Sequence, residues 1–150
     1  MFSVADVKID SLGDYDTIIY CGGMYAGGII GFGKIKKNYQ ALADKKLILV
    51  AVGSSLGRET AVEEVRENNL DEQMREHWQV FFLRGGIDYQ KMHVWDRFLM
   101  YLLIKSIKRK APDELDSDAK GLLGTYGKTV DFTKKEAVAP IIEAINEGEL

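Results

Sequence analysis

Between Asp16 and Gly28 the chain reads Asp-Thr-Ile-Ile-Tyr-Cys-Gly-Gly-Met-Tyr-Ala-Gly-Gly, an apolar run that ends in four glycines within seven residues. Consecutive rather than alternating apolar residues suit a strand covered on both faces, as in the parallel sheet of an α/β protein. The glycines allow positive φ and a close approach of backbone to a flat ligand, with Tyr25 as the aromatic available to lie against it. In open α/β sheets ligands sit at the carboxyl ends of strands, where this loop is expected. A tight strand-to-helix connection without a ligand explains the same residues equally well.

A chain of 150 residues, 46% hydrophobic, suits one domain with a sizeable core. Its net charge of −3 opposes a general attraction to nucleic acid. The one cysteine, Cys21, excludes an internal disulfide. Its apolar neighbours predict a buried structural thiol rather than a nucleophile. No secretory signal or membrane-length apolar segment is read, so the expectation is a cytoplasmic protein.

Along the chain, Phe2–Asp10 alternates as an edge strand. Thr17–Cys21 is the organising strand, and Ile29 to Leu42 follows the spacing of an amphipathic helix whose Lys34, Lys36 and Lys37 form a solvated face. Lys46–Val52 is the most strand-like run and ends in the second loop, Gly53 to Gly57. Arg58–His77 reads as one helix, Trp78–Leu83 as a strand, and Val94–Lys110 as a helix with an apolar middle and a basic end. Pro112 to Asp118 reads as an acidic connection, and Thr133 to Glu136 as a capping box opening the last helix. Strand and helix alternate often enough to predict a parallel sheet with helical crossovers.

Metal chemistry finds no support in the spacing. His77 and His93 stand apart, and Asp96 beside His93 lacks a third ligand. Ser54 and Ser55 lack a nucleophile-elbow context and read as hydroxyl donors to a ligand or as a helix cap.

Three segments together resemble the flavodoxin family, in the branch of menaquinone-dependent protoporphyrinogen oxidases and related bacterial flavodoxin-domain proteins. Asp14–Ile19 leading into Gly22–Gly28 is similar to the family's third strand and first flavin-ring loop, and Leu47–Gly57 to its fourth strand and second ring loop. Gly85-Gly86-Ile87-Asp88-Tyr89 followed by Trp95-Asp96-Arg97-Phe98 resembles a pattern of that branch, as does the tail Thr125–Thr133. The family opens with a strand, a phosphate-cradling loop and a helix. This chain starts at what resembles the second strand, so an N-terminally incomplete flavodoxin-like three-layer sandwich is expected, without that first strand, phosphate loop and first helix.

The resemblance implies FMN binding and electron transfer, with a protoporphyrinogen-like substrate as the narrower expectation. It assigns the flavin ring to Gly22, Gly23, Met24, Tyr25 and Gly27 on one side and Gly53, Ser54 and Ser55 on the other, and it names no catalytic residue. A redox partner or quinone, a peripheral membrane contact through Val94–Lys110 and a homodimer are the further expected partners. The other reading is a non-catalytic fold remnant that binds a partner through exposed apolar surface. The missing phosphate loop predicts that FMN is held mainly by its ring. The open edge it leaves on Thr17–Cys21 is expected to be filled by Phe2–Asp10, with a second copy of the chain as the other solution.

Overall fold

The structure, a computed structural model, describes residues 1–54 and 58–147. Three parallel strands form its centre: β1 (Thr17–Tyr25), β3 (Lys46–Gly53) and β4 (Trp78–Arg84). A two-residue strand, β2 (Gly28–Ile29), folds back antiparallel on the end of β1, giving the order β2-β1-β3-β4. The unbroken apolar run of β3 is explained by burial on both faces, with Ile48, Leu49 and Ala51 wholly inaccessible.

On one face Ile18, Tyr20, Leu47, Leu49, Trp78 and Phe82 meet Phe32 and Ile35 of α1 (Phe32–Lys37), Val65 of α2 (Arg58–Asn69) and Met74 of α3 (Glu72–His77). On the other, Ile48 and Val50 meet Ile141 and Ala144 of α6 (Ala139–Asn146). Lys46 Nζ donates to the carbonyls of Ile145 and Glu147, fastening the end of α6 to the start of β3. This is the expected flavodoxin-like α/β sandwich with a mostly parallel sheet. Beyond β4, α4 (Val94–Ile107) packs on α5 (Ser117–Thr125), and β5 (Gly86–Asp88) pairs antiparallel with β6 (Thr129–Asp131).

Several sequence expectations are corrected. Phe2–Asp10 is not a strand: residues 4–6 turn back on Ser3, and a 3-10 helix covers Ile9–Asp14. Lys34 Nζ holds this segment by donating to the carbonyls of Val4 (3.0 Å) and Val7 (2.7 Å), so that lysine is not part of a solvated face. A short link cannot return the chain for parallel pairing, and among the described residues no strand lies beside Thr17–Gly23 on its outer edge.

The stretch Gly22 to Tyr25 is strand rather than loop, with Gly22 opposite Ala51 and Gly23 opposite Val52. The turn comes at Ala26 (φ 48°) and Gly27 (φ 82°), a two-residue hairpin that draws Ile29 out of the expected helix. Asn38 Nδ2 donates to the Lys34 carbonyl (2.8 Å) and closes α1 early. The expected Arg58–His77 helix breaks at Leu70–Asp71, and the acidic connection contains α5. Thr133 caps nothing: its N–H donates to Asp131 Oδ1, and α6 starts later with Pro140 in its first turn. Cys21 is exposed, because α6 covers Ile48 and Val50 but does not reach the face of β1 that carries Ile19 and Cys21.

Candidate functional site

The carboxyl ends of β1, β3 and β4 open into a cavity of about 710 Å³. That lies in the range of about 300–1,000 Å³ usual for cofactor-sized ligands. Met24 enters from β1, Gly27 from the hairpin turn, and Gly53 and Ser54 from the end of β3. Phe82 and Arg84 come from β4, Leu103 and Ile107 from α4, and Leu122 and Thr125 from α5.

The close approach needed here explains two glycines. A Cβ on Gly53 would stand 3.0 Å from the Phe82 ring and 3.4 Å from Met24 Sδ. A Cβ on Gly85 would meet Val52 Cγ1 at 2.8 Å, and the Gly85 N–H donates to the Gly53 carbonyl at 2.8 Å. The ends of β3 and β4 are thereby locked together beside the cavity.

The hairpin is held by Asn69, among the described residues the one buried polar side chain. Its Oδ1 accepts from the Ile29 N–H (2.9 Å), while Nδ2 donates to the carbonyls of Gly27 (3.2 Å) and Val65 (3.0 Å). The amide replaces a strand partner and sets where Gly27 meets the cavity.

Among the described residues, five charged side chains line the cavity: Glu64, Arg84, Lys110, Asp116 and Asp118. Asp116 accepts from the Ala119 N–H at 2.7 Å and thereby caps α5. Arg84 stacks its guanidinium 3.9 Å from the centroid of the Phe132 ring, and its Nε is buried without a hydrogen-bond partner. A flat, largely apolar ligand fits this lining of glycine, methionine and aromatic carbon.

Of the residues expected at a ring site, the structure brings Met24, Gly27, Gly53 and Ser54 into this cavity. Ser55 lies outside the described residues. Gly22 and Gly23 sit in the β1–β3 ladder, where a Cβ on Gly22 would stand 2.6 Å from Ile29 Cγ2, so packing alone requires that glycine. Tyr25 is exposed, and its hydroxyl donates to Asp96 Oδ1 at the start of α4. Sequence reasoning missed Phe82, Arg84 and the α4–α5 wall. The signal for Arg84 was its place directly before Gly85-Gly86 at a strand end; no periodicity announced the wall.

A second hollow, about 790 Å³, runs along the outer edge of β1 between Val4, Val7, Leu12 and Ile18. Among the described residues no charged side chain lines it. Among the described residues no group of three metal-ligating side chains occurs.

A family model described as a flavodoxin domain matches residues 1–114. No curated protein and no solved structure matches the chain.

Proposed function

The chain belongs to the flavodoxin-domain family, whose members bind FMN and transfer electrons, and from that premise we propose that the cavity at the carboxyl ends of β1, β3 and β4 holds a flavin ring. The observation that carries this reading is the meeting of Met24, Gly53, Phe82 and Arg84 at the strand ends where open α/β sheets take their ligands. Bound FMN would supply one- and two-electron transfer. The protein's share is position: Gly53 allows close contact, Met24 and Phe82 give apolar surface, and Ser54 offers a hydroxyl at the rim.

The ring is the main anchor in this reading. Charge-assisted contacts to a phosphate contribute about 1.5–3 kcal/mol each. The carboxylates Glu64, Asp116 and Asp118 line the same cavity, and they oppose a dianion there. A protoporphyrinogen-type substrate and a quinone acceptor are the narrower form of the proposal, and the pattern Gly85–Tyr89 with Trp95–Phe98 supports it.

Titration of the purified, flavin-free protein with riboflavin and FMN, followed by quenching of flavin fluorescence, tests the site. Comparable affinities are expected. FMN binding a hundredfold tighter would reveal a phosphate site elsewhere, and binding of neither would end the flavin reading.

A further inference from the structure

The hollow of about 790 Å³ beside β1 shares no described lining residue with the strand-end cavity, and the flavin reading does not use it. Its floor is a strand edge. The Ile30 N–H donates to the Gly23 carbonyl on this side, so strand parity turns the N–H and C=O groups of Thr17, Ile19 and Cys21 toward the hollow as well. Among the described residues no strand pairs with them there. Soluble proteins blunt such edges with charge, proline or a bulge. Thr17-Ile18-Ile19-Tyr20-Cys21 carries neither charge nor proline, and its register against β3 is unbroken.

The walls narrow the choice of occupant. Val7 and Leu12 belong to the core on the Ile18 and Tyr20 face of the sheet, while Ile19 and Cys21 lie exposed on the other face. All of them line the hollow, so a chain lying in it would place alternate side chains against apolar surface on both faces. The wall is fixed in place by Lys34 Nζ, which donates to the carbonyls of Val4 and Val7.

We propose that this slot is a docking site for an extended, uncharged apolar segment of a partner polypeptide, about five residues long, which adds as a strand to the outer edge of β1. An apolar small molecule would fill the hollow and leave the edge N–H and C=O groups unmade. A charged segment would meet no described counter-charge in the lining. A second copy fits less well: each copy carries its Phe2–Leu12 wall beside its own β1, and an edge-to-edge pair brings both walls to one seam.

The test uses a capped peptide with a valine and isoleucine run between lysines that keep it soluble, and the same peptide N-methylated throughout the run. N-methylation keeps the side chains and removes every donor. The unmethylated peptide is expected to bind and to slow exchange of the Ile19 and Cys21 amides about tenfold or more, with the methylated one bound at least about tenfold more weakly. Ile19→Pro deletes a donor that points away from β3 and should weaken the unmethylated peptide by a similar factor. Should Ile19→Pro not fold, Phe2→Glu, which places a charge on an exposed part of the wall, takes its place.

Equal binding of the two peptides overturns the proposal and makes the hollow a site for apolar groups of any shape. Absence of binding, or unchanged affinity in the variant, overturns it as well. Protection of Ile19 and Cys21 without peptide that fades on dilution gives the edge to a second copy instead. None of these outcomes bears on flavin binding in the strand-end cavity.

Discussion

The hydroxyl of Tyr25 donates a 2.9 Å hydrogen bond to Oδ1 of Asp96, tying the end of β1 to the first turn of α4 across 71 positions of chain. The hydrogen bond to Asp96, then the carboxylate's charge, then desolvation push the Tyr25 hydroxyl above its ordinary pKa. A group with a raised folded pKa contributes stability that is complete below the unfolded value, about 10, and is lost as pH rises through the folded one. The link should therefore persist at neutral pH and break only in alkali. In Asp96→Asn, ring-carbon NMR of Tyr25 should show titration at lower pH than in wild type. Identical titration in both proteins would mean that the carboxylate does not hold the hydroxyl.

Asn69 offers the clearest stability measurement. Asn69→Ala strands the Ile29 N–H and the Gly27 carbonyl, and the expected loss is about 1–3 kcal/mol in urea unfolding with an unchanged denaturant slope. Asn69→Asp keeps the acceptor for Ile29 but cannot donate to Gly27 and Val65, so it should also destabilise. If both variants unfold with the wild-type midpoint, the amide is not what holds the hairpin.

The outer edge of β1 predicts an alternating pattern of amide exchange. The Lys46 N–H donates to the Asp16 carbonyl on one side, and the Ile30 N–H donates to the Gly23 carbonyl on the other. Strand parity then aims Ile18, Tyr20 and Gly22 at β3, and Ile19 and Cys21 at the open edge. Amides of the first set should exchange slowly and those of Ile19 and Cys21 quickly. Protection of Ile19 and Cys21 that fades on dilution would show a second copy adding its strand to this edge; protection independent of concentration would contradict the open edge itself.

On α4, Ile104 and Ile107 turn inward while Val94, Trp95, Phe98, Leu99, Tyr101 and Leu102 are exposed, Trp95 by 68%. No described helix is long and apolar enough to cross a membrane. With Lys105, Lys108, Arg109 and Lys110 at its end, this face has the chemistry of an interfacial helix. Co-sedimentation with anionic vesicles is expected, weaker with zwitterionic ones and in high salt. Leu102→Glu forfeits about 1.5–3 kcal/mol of apolar burial, a tenfold loss or more. A wild-type protein left entirely in the supernatant would remove the membrane from consideration.

What was legible in the sequence was local. The runs Thr17–Cys21, Lys46–Val52 and Trp78–Leu83 declare strands because their apolar residues are consecutive, and the order of elements declares the parallel sheet, but of these only Lys46–Val52 is covered on both faces as such a run predicts, since Ile19 and Cys21 of the first are exposed. The place of Met24, Gly27, Gly53 and Ser54 at a strand-end cavity was legible because the glycine loops follow the strands directly. The alternation of Phe2–Asp10 misled, since period-two patterning states which side chains can share a face and not whether any strand stands alongside. Only the fold decided that Gly22 and Gly23 continue β1, because a ladder partner at Ala51 and Val52 overrides the flexibility of glycine. Only the fold brought the Gly85–Tyr89 motif against the tail: Ile87 opposite Val130, Thr129 Oγ1 donating to Asp88, and Tyr126 edge-on to Tyr89. The same pairing sets Phe132 over Arg84, 48 positions apart, and leaves that cation facing the cavity. Periodicity within a window of a dozen residues carries no term for such distant contacts, which is why the strands could be read from the chain and the charge of the site could not.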